Sequence, residues 1–311
     1  LIATTGGTNT MLTEITGIHR IRMLYLQLLY RCNFSCRHCF HGELLADPEH
    51  YTLEQAQTIL RRFRDTYQLE AVTLLGGEPL LYRDIVDLCR YAKNDLGLRT
   101  EMCSNAHRGF RNTVTRLAPV LDKFRVSLDG LADTHDRIRQ RGSFTGAIEM
   151  IDHARNLDVP TSATMTVTAH NLDQIVPLAR LLQQHGVTEL KLHALRLVGN
   201  AVDNPDLEVA STSRYGRLHE QIAQADLDIA IIYDSDLSPA PAGTACSNLV
   251  TDGWLDRIES DPRGGLTVSC KAVGRDANAF RWDKHAEEIV HEPRENDEFA
   301  LAIPDVVYVG G

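Results

Sequence analysis

Three cysteines, Cys32, Cys36 and Cys39, fall within a span of eight residues. Thiolates are soft donors that select zinc, copper(I) or iron–sulfur clusters. A structural zinc normally takes four ligands, and His38 or His41 stands close enough in sequence to be the fourth. Three cysteines on a four-iron cluster would instead leave one iron open to a substrate or cofactor. Spacing alone leaves both readings standing. The other cysteines, Cys89, Cys103, Cys246 and Cys270, are scattered. An odd total, bunched in one place, suits a reducing compartment and a metal site better than a disulfide framework, so a cytoplasmic location is expected.

Such a cluster needs a rigid frame. The motif directly follows an apolar run of strand length at 22–30. Thr52 and Gln55 form a capping box that opens a helix over 52–67, with Leu53, Ala56, Ile59, Leu60 and Phe63 along one side. A strand at 71–75 ends in Gly76-Gly77-Glu78-Pro79. Helices are then expected at 84–96, 111–117, 144–156 and 172–185, with strands at 98–103, 124–128, 161–167 and 189–197 between and after them. Six strands separated by helices specify parallel β/α architecture. A full eightfold barrel usually needs about 250 residues. Here the alternation covers 22–200, which predicts a partial (β/α)6 TIM-like barrel open at one side. Around it, 1–21 reads as an N-terminal arm and 201–243 as an acidic helix/strand segment ending in a Pro/Gly linker. Residues 244–311 read as a small irregular appendage.

The chain has 311 residues and a formal net charge of -10, with no basic stripe. Nucleic acid and an anionic membrane surface are therefore not expected partners. No apolar run is long enough to span a bilayer. Residues 1–10 do not read as a signal peptide, and because Leu stands first, the native start is left open.

Together with four elements downstream of it, the cysteine motif resembles the CxxxCxxC hallmark of radical S-adenosylmethionine (radical SAM) enzymes. Gly76-Gly77-Glu78-Pro79 matches the family's GGEP at the end of the second barrel strand, and Ser127-Leu128-Asp129-Gly130 matches its SLDG strand end. His135-Asp136-Arg137-Ile138-Arg139, with Gly142-Ser143-Phe144 after it, resembles the HDxxR…GSF element of one branch. That branch usually carries an auxiliary-cluster domain, called SPASM or, in its shorter form, Twitch. Residues 196–201 resemble the segment that closes that barrel, and the resemblance extends over 22–201.

The resemblance implies that Cys32, Cys36 and Cys39 hold a [4Fe-4S] cluster whose open iron chelates S-adenosylmethionine. Reductive cleavage would then give a 5'-deoxyadenosyl radical that abstracts hydrogen from the substrate. It implies that Gly76, Gly77 and Glu78 bind the methionine ammonium, and that Ser104, Asn105 and Ser127 approach the ribose. Arg139 would take the methionine carboxylate, a surface salt bridge being its plainer role. His38 occupies the usually aromatic position beside the last cysteine and would pack near adenine without ligating. A flavodoxin or ferredoxin is the implied reductant.

On the substrate side, Glu189, Lys191 and His193 share one face of a strand and are expected to project into the barrel together. Thr164, Thr166 and Thr168 present a similar face, read as packing. Cys103 lies beside the ribose site, where it is either a hydrogen donor to a substrate radical or a small buried hydrophobe. Cys89 is read as core. Residues 265–270 fit the GxxxxC element that opens the auxiliary domain, and Cys246 fits the cysteine before it, but no cysteine follows Cys270. One cluster is therefore expected, with a degenerate SPASM/Twitch-like appendage. A second cluster completed by His285 or His291, a Cys246/Cys270 redox pair, and simple burial remain as alternatives.

The expected function is radical SAM chemistry on a small polar natural-product substrate of antibiotic-biosynthesis type. A sugar, aminocyclitol or nucleoside is expected, by epimerisation, dehydration or decarboxylation. The missing auxiliary cysteines favour this reading, as does the lack of space before residue 22 for a leader-peptide recognition domain. Modification of a ribosomally made peptide, by crosslink, thioether or epimerisation, is the alternative. A non-catalytic scaffold or a zinc-binding regulator stands behind it.

Overall fold

The fold is that of a computed structural model, which describes residues 10–12, 15, 18–209, 213–234, 237, 249–250, 253–267 and 280–291. Strand β1 (Thr10–Leu12) precedes β2 (Arg20–Gln27), and the cysteine loop leads from β2 to helix α1 (Leu53–Tyr67). Then come β3 (Ala71–Leu75), α2 (Ile85–Arg90), β4 (Arg99–Ser104), α3 (Arg111–Leu117) and β5 (Lys123–Ser127). Next are α4 (Ala132–Ile138), α5 (Ser143–Arg155), β6 (Thr161–Val167), α6 (Ile175–Gln184), β7 (Glu189–Ala194), α7 (Ser213–Gln224) and β8 (Ala230–Tyr233). The C-terminal part adds β9 (Leu249–Val250), β10 (Trp254–Ser260), β11 (Gly265–Thr267), β12 (Phe280–Asp283) and β13 (Glu288–His291). No described helix is long and apolar enough to cross a membrane.

The capping box at Thr52 and Gln55 is formed, and α1 runs from it as the periodicity requires. Strands β2 to β7 are the six expected ones, pairing in parallel in chain order. The partial barrel is wider than six strands, however. Strand β8 adds in parallel beyond β7, and β10 adds in parallel on the other side of β2. Residues 254–260, expected within an irregular appendage, thus supply a strand of the same sheet, with Arg257 opposite Met23 and Glu259 opposite Tyr25. Strands β11, β12, β13 and β1 continue from β10 as an antiparallel extension. Among the described residues β8 and β10 do not pair, so the barrel stays open. The linker at 238–243, Cys246 and Cys270 lie outside the described residues.

Alternation along the strands sorts the side chains. Leu24, Leu26, Val72, Leu74, Phe124, Val126, Ala163, Met165, Leu190 and Leu192 are buried in the core that also holds Ile59, Phe63, Ile151, Leu178 and Leu182 of the helices. The intervening residues, including Tyr25, Gln27, Thr73, Cys103, Arg125, Thr164 and Lys191, line a cavity inside the barrel. That cavity continues up to the cysteine loop, so the fold joins two halves of one site.

Candidate active site

The cysteine loop leaves β2 at the carboxyl end of the sheet, where open α/β folds bind their ligands. It is held from three directions. The Gly77 N–H donates to Leu29 O at 2.8 Å and the Glu78 N–H to Arg31 O at 3.0 Å. Arg37 N–H donates to Ile138 O at 2.8 Å, at the end of α4. From beyond β7, the Asn200 N–H donates to Cys39 O at 2.9 Å and its side-chain amide to Cys36 O at 3.0 Å. The Arg37 guanidinium reaches the same segment, with Asn204 at 2.7 Å and Asp206 at 2.8 Å.

Gly77 is required by this approach. A Cβ there would lie 2.1 Å from Tyr30 O and 2.5 Å from Arg31 O, both backbone atoms that cannot swing away. Gly77→Ala is therefore expected to displace the start of the cysteine loop, lowering stability by roughly 1–3 kcal/mol. Iron bound per chain after anaerobic reconstitution, with the thermal midpoint, would check it. Full iron loading at an unchanged midpoint would refute the account.

Cys32, Cys36 and Cys39 all line the cavity. Burial pushes the Cys32 thiol up to about 11 and the Cys36 thiol to about 12, and it raises Cys39 as well. A bound metal group must therefore supply the positive charge that makes them thiolates. No three Cys, His, Asp or Glu side chains among the described residues converge on a position for a single metal ion. The two histidines that ligand counting offered to zinc are turned elsewhere. His38 Nε2 lies 2.6 Å from Asp129 Oδ2, and His41 Nε2 lies 3.3 Å from Gly76 O. Three thiols spread around one cavity fit a larger, multi-iron group better than four-coordinate zinc.

Asp129 organises the far side of the loop. Its buried Oδ2 takes Arg139 Nε at 2.5 Å and His38 at 2.6 Å, and its Oδ1 accepts the Thr166 N–H at 2.8 Å. Burial alone would raise this carboxyl, but the Arg139 and His38 charges overcome it and hold it far below the usual carboxylate range. Arg139 is thereby fixed with its guanidinium on the cavity wall. His135, also buried, accepts the Asp129 N–H on Nδ1 at 3.1 Å, which requires the neutral ring.

Burial, assisted by Arg139, draws the His135 imidazolium down to about 4. The unfolded chain, near the ordinary 6.5, then binds more protons between those values, so stability falls as pH drops through that window. From pH 7 to pH 5 this group alone is expected to remove roughly 2 kcal/mol. His135→Asn should flatten that slope in urea-unfolding midpoints measured across the range. An identical slope in the variant would rule it out.

The other expected residues divide between the cavity and its supports. Gly76, Gly77, Ser104, Asn105, Ser127 and His38 line the cavity. Glu78, expected to face an ammonium group, does not line it. Its buried carboxylate accepts from Ser104 Oγ at 2.8 Å, Leu80 N–H at 3.0 Å and Asn105 N–H at 2.8 Å. It clamps the end of β4 to the Gly76-Gly77 turn. The Ser104 hydroxyl is committed to that clamp, and the Asn105 amide donates to Asn33 Oδ1 at 2.8 Å in the cysteine loop. Cys103 Sγ lies 3.7 Å from Ser127 Oγ, and burial raises its thiol. Cys89 is buried in the core.

Lys191 and His193 line the cavity as their shared face requires. Glu189, on the same face, sits deeper and is engaged by Lys123 at 3.2 Å and Arg125 at 3.0 Å. Thr164 and Thr166 also line the cavity, whereas Thr168 is buried beside Asn171. His285 is exposed, and His291 packs against Phe280 at 5.1 Å. Sequence reasoning missed Asp129 as the positioning group, although it stands inside the SLDG element. It also missed Arg125, Arg257 and Glu259, whose only signal was strand alternation.

Comparison with known proteins agrees with this geometry. A profile described as the Radical SAM superfamily matches residues 26–182. The AdoMet-dependent heme synthase of Methanosarcina barkeri is 27% identical over 204 residues, covering 62% of this chain and 56% of the relative. An S-adenosylmethionine-dependent nucleotide dehydratase of a Thermoplasmatales archaeon is 26% identical over 161 residues, covering 50% of this chain and 56% of the relative. The chain spans about half the length of the curated relatives it matches. Among solved structures, Streptococcus suis SuiB bound to S-adenosylmethionine superposes with a TM-score of 0.65 at 18% identity, covering 83% of this chain and 62% of that one. This last likeness is one of fold.

Proposed function

We propose that this chain, which belongs to the radical SAM superfamily, acts on a small polar substrate held inside the barrel beneath the cysteine loop. It is a radical SAM enzyme, and such enzymes use a [4Fe-4S] cluster and S-adenosylmethionine. When bound, these groups supply a 5'-deoxyadenosyl radical that abstracts hydrogen from the substrate.

The remaining work falls to the chain's own residues. Cys32, Cys36 and Cys39 would hold the cluster. Arg139, fixed by Asp129, would meet the methionine carboxylate with a charge-assisted bond. The Gly76-Gly77 turn would admit the methionine end at close range, while Glu78 acts by holding that turn and β4 together. Ser127, at the carboxyl end of β5, is the hydroxyl best placed for the ribose. The barrel wall keeps water from the reacting atoms.

The observation that carries the substrate reading is the polar inner wall. TIM-type barrels usually fill their centre with branched apolar side chains. Here Tyr25, Gln27, Arg125, Lys191, Arg257 and Glu259 line the cavity instead. Polar groups held away from water are costly without partners. A sugar, aminocyclitol or nucleoside offers many hydroxyl partners in a small volume. The resemblance to a nucleotide dehydratase is in keeping with this. Epimerisation, dehydration and decarboxylation are the reaction classes it favours, with a flavodoxin or ferredoxin as electron donor.

The test is 5'-deoxyadenosine formation by anaerobically reconstituted enzyme, with deuterated sugars and nucleosides or a core peptide present. Deuterium transfer into 5'-deoxyadenosine from a small polar compound is the expected result. Transfer from the peptide alone would replace this reading with peptide modification. No cleavage of S-adenosylmethionine at all would leave the scaffold reading.

A further inference from the structure

Two polar side chains meet on the inner wall where β10 joins β2. The strands run in parallel, with Glu259 opposite Tyr25 and Ser260 opposite Leu26, so Glu259 lies diagonally from Gln27. Alternation turns both inward, and both line the cavity. The Gln27 amide donates from Nε2 to Glu259 Oε1 at 2.8 Å. Ser260, the next residue, points the other way, with its Oγ 2.8 Å from the Tyr51 hydroxyl oxygen, and anchors the strand on that side.

The pair is incomplete as it stands. Gln27 is 1% exposed, and its Oε1 has no hydrogen-bond partner among the described residues. Glu259 is 5% exposed, and among the described residues its carboxyl bonds to Gln27 alone, which leaves Oε2 unanswered. An enclosed acceptor without a donor costs about 1–3 kcal/mol. Two such acceptors, on groups tied to each other, suit two donors a short distance apart. Hydroxyls fit better than an ammonium group. Burial raises the Glu259 carboxyl, and a hydroxyl can donate to the ionised form or accept from the neutral one. Cations also outnumber carboxylates on the cavity wall, which opposes a cationic ligand. On β6, Thr164 Oγ1 is a further buried cavity-wall atom with no partner among the described residues.

We propose that Glu259 and Gln27 bind a vicinal diol of the substrate, Glu259 Oε2 taking one hydroxyl and Gln27 Oε1 accepting from its neighbour. The inference rests on the reading that the barrel holds a small polar molecule. It narrows that class to polyols with adjacent hydroxyls, whether a cyclitol or a sugar ring. Glu259 stands outside residues 26–182 that match the shared profile, so β10 becomes a specificity element of the active site.

The experiment is calorimetric titration of the cluster-loaded enzyme without reductant and with S-adenosylmethionine bound, so that the cofactor's own ribose already has its place. The probes are myo-inositol, D-ribose and cyclohexylammonium. One of the two polyols is expected to saturate with a Kd of about 1–10 mM, and the tighter one tells a cyclitol from a sugar. Glu259→Met and Gln27→Met should each weaken it about tenfold or more, while Glu259→Gln, which keeps an acceptor, stays within about fivefold. At least one monodeoxy analogue of the tighter polyol should bind the wild type about tenfold more weakly than its parent. In Glu259→Met that preference should shrink to within about twofold, a ratio taken within one protein that general loosening of the fold does not move. Failure of both polyols to saturate by about 100 mM overturns the diol site, as does an unchanged deoxy preference in Glu259→Met or tighter binding of cyclohexylammonium than of either polyol. Deuterium transfer from a small polar compound in the wild type, assayed separately, tells failure of this site alone from failure of the reading on which it rests.

Discussion

Cys36→Ala protein, carried through anaerobic reconstitution, is expected to retain essentially no iron. It should form 5'-deoxyadenosine at least about a thousandfold more slowly than the wild type. Cys36 is the most enclosed of the three loop cysteines, and its carbonyl is tied to Asn200 at 3.0 Å. Alanine would leave the loop's backbone bonds intact, so the loss isolates the thiol. With two thiols remaining and His38 and His41 engaged with Asp129 and Gly76, no side chain among the described residues is poised to replace it. Cys89→Ala is the matched control, because Cys89 is buried in the core and does not line the cavity. Iron assay and product chromatography on both variants decide the matter. A Cys36→Ala protein with full iron and turnover would remove the cysteine loop from the mechanism.

Asp129→Asn should produce the largest loss of stability of any conservative change near the site. The exchange keeps the shape and removes the charge that two buried partners share, Arg139 at 2.5 Å and His38 at 2.6 Å. A buried guanidinium deprived of its carboxylate costs roughly 3–5 kcal/mol. A chain of this size should then lose about 10 °C in thermal midpoint. Arg139 would also lose its fixed orientation on the cavity wall, so the affinity for S-adenosylmethionine should fall with it. Arg139→Met in the Asp129→Asn background removes the stranded charge and should recover part of the midpoint without recovering affinity. A midpoint within about 2 °C of wild type in the single variant would show that the pair is not what holds this corner.

The six β/α units and the capping box were legible in the sequence because each rests on local periodicity. Strands β3 and β6 begin and end where the pattern places them. Two kinds of feature were not legible. Strand β10 has polar residues at Arg257 and Glu259 on the face that enters the barrel. A buried parallel strand is normally apolar on both faces, so this one reads as surface. The other kind is the direction of a side chain. The GGEP and SLDG elements locate Glu78 and Asp129, but only the packed structure shows their partners. Glu78 braces β4 from behind the wall, and Asp129 does the positioning. Glu189 likewise shares its strand face with Lys191 but ends in a deeper ion-pair layer. Alternation assigns a face and is silent on depth.

The contacts between Asn200 and the carbonyls of Cys36 and Cys39 also set an order of events during synthesis. The cysteine loop leaves the ribosome well before its fastening segment at 199–206, and earlier still than β10, which covers the flank of β2. At about 5–20 residues per second the loop waits roughly ten to thirty seconds for Asn200 to emerge after it. During that interval its thiols are exposed to oxidation and to adventitious metals. Cluster delivery to a finished pocket must therefore come after translation of the barrel, and premature termination between residues 39 and 199 would release a chain that presents all three thiols without the frame that fastens them.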